Sequence, residues 1–304
     1  MSLLVIGTVA FDSVKTPFGE ADNVLGGSAT YFAVSASYFT SVRLRAIVGD
    51  DFPDEHMKVF EKHKINTDGL EKIPGKKTFS WKGSYGFDLN TATTLETNLN
   101  VLLDFNPELS EEDANAEFVF LANIDPSLQL EVIDQLKKPR IIALDSMNFW
   151  IENKKEELLK VMQKVDMVVL NEAEAREITG TPSLVKAAKE IHKMGPNTII
   201  IKQGEYGSIS LFKDEMFSAP AYPLEDVYDP TGAGDTFGGG VMGYLASKGE
   251  LNSDSLRQAM IVGSAMASYN VESFSLDRIT GLEFNDIVTR YNEIKRITAF
   301  GDLK

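Results

Sequence analysis

The residues of this chain best placed to do chemistry lie in one stretch, Asp229-Pro230-Thr231-Gly232-Ala233-Gly234-Asp235-Thr236-Phe237, which runs into the small-residue segment Gly238 to Ala246. Gly232 and Gly234 permit backbone conformations and close approaches denied to other residues. The segment that follows is apolar yet rich in glycine, so as a helix it must be buried against a near neighbour. The stretch therefore reads as a loop feeding a buried helix N-terminus, where the N–H groups of Gly232, Ala233 and Gly234 and the helix dipole favour an anion. Asp235, in the first turn beside that anion hole, is placed to take a proton from a hydroxyl attacking a γ-phosphate held there. The dipole is expected to keep this carboxylate ionised. The bland alternative is an acidic helix cap after a tight glycine turn.

Two further segments bear on that choice. Asn171-Glu172-Ala173-Glu174 follows an apolar run and opens a helical pattern. Its spacing suits either a capping box or a carboxylate that orients hydrated Mg²⁺ on phosphates. Lys202-Gln203-Gly204-Glu205-Tyr206-Gly207 is either a plain hairpin turn or a strand end whose glycines lie under a nucleotide. Asn123 and Asn148 fall just beyond predicted strand ends, where ligands of open α/β sheets gather, and are candidate substrate contacts. His56, His63 and His192 show no metal-ligand spacing.

These positions need a scaffold, and the chain's periodicity supplies one. Short β-branched runs at Leu3–Val9, Leu44–Val48, Phe118–Leu121, Ile141–Leu144, Met167–Leu170 and Thr198–Ile201 read as buried parallel strands. Helical patterns at Asp54–His63, Leu128–Gln135, Lys154–Lys164, Leu184–Met194 and Ser255–Tyr269 alternate with them. Repeated βα units imply a mainly parallel sheet covered on both faces. Lys77–Tyr85 and Thr93–Leu103 break the rhythm with polar and apolar alternation, and with Ser13–Leu25 they predict a small antiparallel sheet set into the main domain. The expected division is a core of residues 1–12, 26–76 and 104–304, with a flap of residues 13–25 and 77–103.

The 304 residues carry 45 acidic and 30 basic side chains, a net charge of -15 that repels polyanions and argues against nucleic acid as a partner. The chain has no cysteine, so neither a disulfide framework nor a thiolate nucleophile arises. No apolar run reaches the roughly 18 residues a membrane helix needs, and the short run near the start lacks the flanks of a signal peptide, which places the chain in the cytoplasm. A nicotinamide dehydrogenase is disfavoured, because Gly7 is followed by Thr8, Val9 and Ala10 rather than by a G-x-G-x-x-G fingerprint.

Taken in order along the chain, Gly7 to Asp12, Gly26-Gly27, Val48-Gly49-Asp50-Asp51, Asn171 to Glu174, Gly204 to Gly207 and Asp229 to Asp235 resemble the ribokinase-like carbohydrate kinases, the family that also holds fructokinases and adenosine kinases. The resemblance implies a three-layer α/β sandwich with a β lid and an ATP-dependent kinase acting on a hydroxymethyl group of a sugar or sugar-like molecule. Asp235 then matches the catalytic base, and Gly232, Ala233 and Gly234 the anion hole. Asn171 and Glu174 match the pair that handles Mg²⁺ and phosphate, while Lys202, Gly204, Gly207 and Thr231 fall at the nucleotide. Asp12 matches a carboxylate that accepts substrate hydroxyls, and Gly26, Gly27 and Ser28 lie at the helix start that approaches the substrate. Asp229 and Thr231 match a loop that binds K⁺ in several members, and the lid pairs two subunits in some.

One position departs from that pattern. Members that bind ribose or fructose often carry Asn where this chain has Tyr31, which changes both volume and hydrogen-bond donors at the sugar. A nucleoside is the alternative acceptor, and a noncatalytic ligand-binding relative is the alternative in another class.

Overall fold

The computed structural model describes residues 2–303; Met1 and Lys304, the ends of the expected core, lie outside the described residues. Among the described residues, thirteen strands form two sheets. In chain order they are β1 (Ser2–Ile6), β2 (Ala10–Thr16), β3 (Gly19–Gly26), β4 (Ser41–Gly49), β5 (Asn66–Ile73), β6 (Ser80–Tyr85), β7 (Ala92–Asn98), β8 (Phe118–Leu121), β9 (Ile141–Leu144), β10 (Met167–Asn171), β11 (Thr198–Lys202), β12 (Ser208–Phe212) and β13 (Glu215–Ala219).

The large sheet has nine strands in the order β13-β12-β11-β10-β9-β8-β1-β4-β5. From β11 to β5 every pairing is parallel, and only β12 runs against its neighbours. Apolar side chains on both faces of the strands feed two separate cores, one under each layer of helices. This is the mainly parallel sheet, covered on both faces, that the alternating pattern implies. Three strands escaped the periodicity reading. β5 is an edge strand carrying Asn66, Asp68, Glu71 and Lys72, and so lacks an apolar run. β12 and β13 form a hairpin whose turn, Lys213-Asp214, holds both residues at positive φ.

One face of the large sheet explains the glycine-rich segment. The helix Ala233–Lys248 packs against the helices Ser28–Ser37 and Ser253–Asn270 at near-backbone distance. A Cβ on Gly239 would stand 2.4 Å from the carbonyl oxygen of Phe32, one on Gly243 2.8 Å from the Cα of Ala36, and one on Gly240 3.0 Å from the Cα of Gly263. The glycines thus let three helices close up, which fixes where the N-terminus of the Ala233–Lys248 helix emerges. On the sheet side, Phe32 stacks on Phe120 of β8 with ring centroids 4.0 Å apart.

The small sheet has the order β3-β2-β6-β7. It consists of two antiparallel hairpins, as the alternation predicts, joined by a parallel pairing of β2 with β6. Ala10 to Asp12 and Gly26 lie in strands of this sheet, so the lid reaches further toward the core than residues 13–25. Its root is pinned by Asp51, whose Oδ1 accepts from the N–H and the hydroxyl of Thr78 at 2.8 and 2.6 Å. Among the described residues, no helix is long and apolar enough to cross a membrane.

Gly239→Ala is expected to destabilise the protein by about 1–3 kcal/mol, because the new methyl meets backbone that cannot yield. Gly281→Ala, where a Cβ would meet nothing within 4 Å, serves as the control and should melt like wild type. Thermal melts of both variants check this.

Candidate active site

Parallel pairing sets the ends of three neighbouring strands side by side. Asp145 follows β9, Asn171 closes β10 with Glu174 one turn on, and Lys202 closes β11 directly opposite Asn171. Asp235 faces them from the first turn of the glycine-rich helix. Lys202 Nζ lies 3.0 Å from Asp145 Oδ2 and 3.0 Å from where a Cβ on Gly234 would stand, so the ammonium sits against the glycine loop.

The loop's shape follows from its sequence. Pro230-Thr231-Gly232-Ala233 forms a turn closed by the N–H of Ala233 on the carbonyl of Pro230 at 3.1 Å, with Gly232 at φ 73° and ψ 0°. That is a type II turn, which requires positive φ at its third residue and so favours glycine there. A consequence corrects the expected anion hole: the N–H of Ala233 is spent on the turn, leaving those of Gly232 and Gly234 without an acceptor among the described residues. The ring of Tyr31 underlies the turn, 2.4 Å from where a Cβ on Gly232 would be.

Asp229 braces the loop from below. Its two carboxylate oxygens accept from the N–H groups of Thr231 and Ser275, at 2.9 and 3.2 Å. Asn270, which the sequence reading did not single out, spans the turn and the helix: its amide donates to the carbonyl of Thr231 and its oxygen accepts from the hydroxyl of Thr236. The hydroxyl of Thr231 donates to that of Tyr85 in the lid, at 3.4 Å. Lid and anion loop are therefore in contact.

Opposite the loop, Asp12 on β2 accepts from the N–H of Gly27 at 3.3 Å, and a Cβ on Gly26 would fall 1.9 Å from its Oδ2. The Gly26-Gly27 pair thus makes room for a buried carboxylate. The hydroxyl of Tyr31 is fully enclosed, has no hydrogen-bond partner, and feels the charges of Asp12, Asp229 and Asp235. Paired residues on adjacent strands share a face, so Trp81, Gly83 and Tyr85 of β6 look the same way as Asp12 and Val14.

Electrostatics set this cleft apart. Burial and then the charge of Asp145 push Asp235 up to about 8, and the same two causes push Glu174 up to about 8. The expectation that the dipole keeps Asp235 ionised fails here, because loss of water and a neighbouring carboxylate outweigh half a charge at a helix end. Burial raises Asp12 to about 7. For Lys202, burial acts to lower the pKa, but Asp145, Glu174 and Asp235 together hold it above the usual lysine value.

Other expected positions have structural partners. Asn171 and Glu174 form the reciprocal capping box, with Glu174 accepting from the Asn171 N–H at 2.8 Å. Ser28 is turned onto Thr8, hydroxyl to hydroxyl at 3.0 Å. Asn123 accepts from the Trp150 indole at 2.8 Å, and Asn148 is exposed at the start of the helix Asn148–Asn153; neither hydrogen-bonds to the cluster. Gly207, at φ 91°, is required by the carbonyl of Ala219, 2.1 Å from its virtual Cβ, and Gly204 faces Asn90 of the lid. Among the described residues, no three carboxylate or histidine groups converge on a metal position. Asp145 was missed: a single Asp after a four-residue strand reads as a turn, although it occupies the same strand-end position as Asn171 and Lys202.

Residues 5–279 match the pfkB family of carbohydrate kinases. The cytidine kinase of Thermococcus kodakarensis is 30% identical over 250 residues, covering 80% of this chain and 88% of that one. Among solved structures, the nucleoside kinase of Methanocaldococcus jannaschii, a member of the ribokinase family, superposes with a TM-score of 0.77 at 20% identity, over 96% of this chain and 98% of that one. Ribokinase of Arabidopsis thaliana, solved with ribose and ATP, gives 0.75 at 17% identity, over 95% and 98%. The fold, the ordered glycine motifs and the match along nearly the whole chain lead to one conclusion: this chain belongs to the pfkB family of carbohydrate kinases, and is a phosphotransferase acting on an alcohol.

Proposed function

We propose that the protein is an ATP-dependent nucleoside kinase that phosphorylates the hydroxymethyl group of the ribose, with Asp235 as general base. The observation that carries this reading is Asp235 standing beside a type II turn whose Gly232 and Gly234 N–H groups lack protein acceptors. Such donors suit the terminal phosphate of a nucleotide. The proton of the acceptor hydroxyl passes to Asp235 as its oxygen bonds to the γ-phosphorus, and the bond from that phosphorus to the β,γ-bridging oxygen breaks to release ADP. Asp12, across the cleft, would accept hydrogen bonds from the sugar hydroxyls.

Two observations favour a nucleoside over a free sugar. Trp81 and Tyr85 place aromatic side chains on the cleft-facing surface of the lid, where a base could stack. The relative with 30% identity is a cytidine kinase. Mg²⁺ fits the donor set as a hydrated ion: the cleft gathers Asp145, Glu174 and Asp235 against one lysine, yet offers no three-carboxylate cage. When bound it would neutralise phosphate charge, with Glu174 orienting its water shell. For Asp229, both carboxylate oxygens already serve backbone donors, so any K⁺ at this loop would rest on carbonyl oxygens.

Three outcomes are expected. Asp235→Asn should lower kcat by about 10²–10⁴-fold with nucleotide binding retained, measured by ADP release over a panel of nucleosides, ribose and deoxyribose; turnover near wild type would remove Asp235 as the base. Because the ionised carboxylate is the active form and its free-enzyme pKa is raised to about 8, kcat/KM should fall as pH drops below 8, and a profile flat from about pH 5 to 9 would contradict this. The raised pKa also means that Asp235 stabilises the unliganded fold only while protonated, a contribution lost as pH rises from about 4 through 8. Asp235→Asn should therefore melt several degrees above wild type at pH 8.5, the gap closing toward pH 4.

A further inference from the structure

Lys202 is largely buried, with a side chain 15% exposed, and among the described residues its ammonium makes one hydrogen bond, to Asp145. An ammonium has three donors, so two are left without a protein acceptor. Leaving charged donors unpaired in a dry cleft is costly unless a ligand takes them. The surroundings restrict what that ligand is. Nζ lies 3.0 Å from where a Cβ on Gly234 would stand, beside one of the two residues whose N–H groups lack an acceptor among the described residues, and Asp235 and Glu174 are near enough to act on it electrostatically. An anion held by the Gly232 and Gly234 N–H groups would meet the two free donors of Lys202. Asp145, itself 6% exposed, fixes the lysine from behind and shares no other side-chain partner that would hold it for a different purpose.

Resting on the kinase reading above, we infer that Lys202 contacts the transferring γ-phosphoryl group, as a cation completing the anion hole, and that Asp145 is the positioning residue that holds it there. The turn that spends the N–H of Ala233 makes this role concrete, since Lys202 supplies the third donor direction that the loop gives up. A base or ribose contact would not use these donors, because the strand end that carries Lys202 abuts the phosphate loop. In the transition state the charge spread over the equatorial oxygens strengthens such a contact, so its loss should fall on kcat more than on KM for the acceptor.

The experiment compares calorimetric binding of ADP and of a non-hydrolysable ATP analogue, each with Mg²⁺, to wild type, Lys202→Met, Lys202→Arg and Asp145→Asn, alongside kcat and its pH profile. Lys202→Met should weaken the analogue at least tenfold while changing ADP less than threefold, and lower kcat about a hundredfold or more. Lys202→Arg should restore part of both. Asp145→Asn should weaken the analogue selectively and also move the acid limb of the kcat/KM profile to lower pH, since a neighbouring negative charge is removed from Asp235. Equal losses for ADP and analogue, or a Lys202→Met enzyme with wild-type kcat, would overturn the inference while leaving the kinase reading intact. Failure of the wild-type protein to bind either nucleotide would overturn both.

Discussion

The cost of keeping carboxylates dry governs this site. Asp12, Glu174 and Asp235 gather beside Asp145 and, among the described residues, the single ammonium of Lys202, and burial there disfavours the charged forms of the first three. The unliganded fold meets that cost by holding protons on Asp235 and Glu174 to a pH far above the ordinary carboxylate range. On the proposed reading, cations arriving with a nucleotide would reverse the balance and favour the ionised form of Asp235. A cleft that is uncomfortable when empty and comfortable when filled is a familiar exchange of stability for function.

Everything that holds these groups together is a consequence of backbone geometry. Three neighbouring parallel strands end at one edge of the sheet, where Asn171 and Lys202 are paired directly and Asp145 is the first residue past β9. Opposite, the helix bearing Asp235 can approach only because glycines remove the side chains that would keep it from its neighbours. Tyr31 then fills the space under the turn and leaves a hydroxyl among the acids. The lid closes the arrangement from a third side, tied to the turn through Tyr85 and to the core through Asp51.

Much of this was legible in the residues. Asp229 to Asp235 announced a glycine turn feeding a buried helix with Asp235 in its first turn, and the periodicity announced the sandwich and the strand ends that face it. What could not be read was pairing across sequence. Asp145 and Lys202 are 57 residues apart and each alone resembles a turn residue. Asn270 braces the turn through contacts that only the packing of its helix creates. For the same reason the partners of Ser28 and Asn123, the candidate substrate contacts that hydrogen-bond to Thr8 and Trp150, were not legible. The sign of the Asp235 shift was equally out of reach, since a local dipole can be seen in sequence and burial beside Asp145 cannot.

On the proposed reading, the turn at Gly232 and the carboxylate of Asp235 bracket the two reacting oxygens. A crystal structure with Mg²⁺, a non-hydrolysable ATP analogue and a nucleoside tests it most directly. The account predicts γ-phosphate oxygens within about 3 Å of the Gly232 and Gly234 nitrogens, with the ribose hydroxymethyl oxygen about 3 Å from Asp235. A phosphate tail bound away from this turn, or an acceptor oxygen facing a different residue in the closed state, would contradict it.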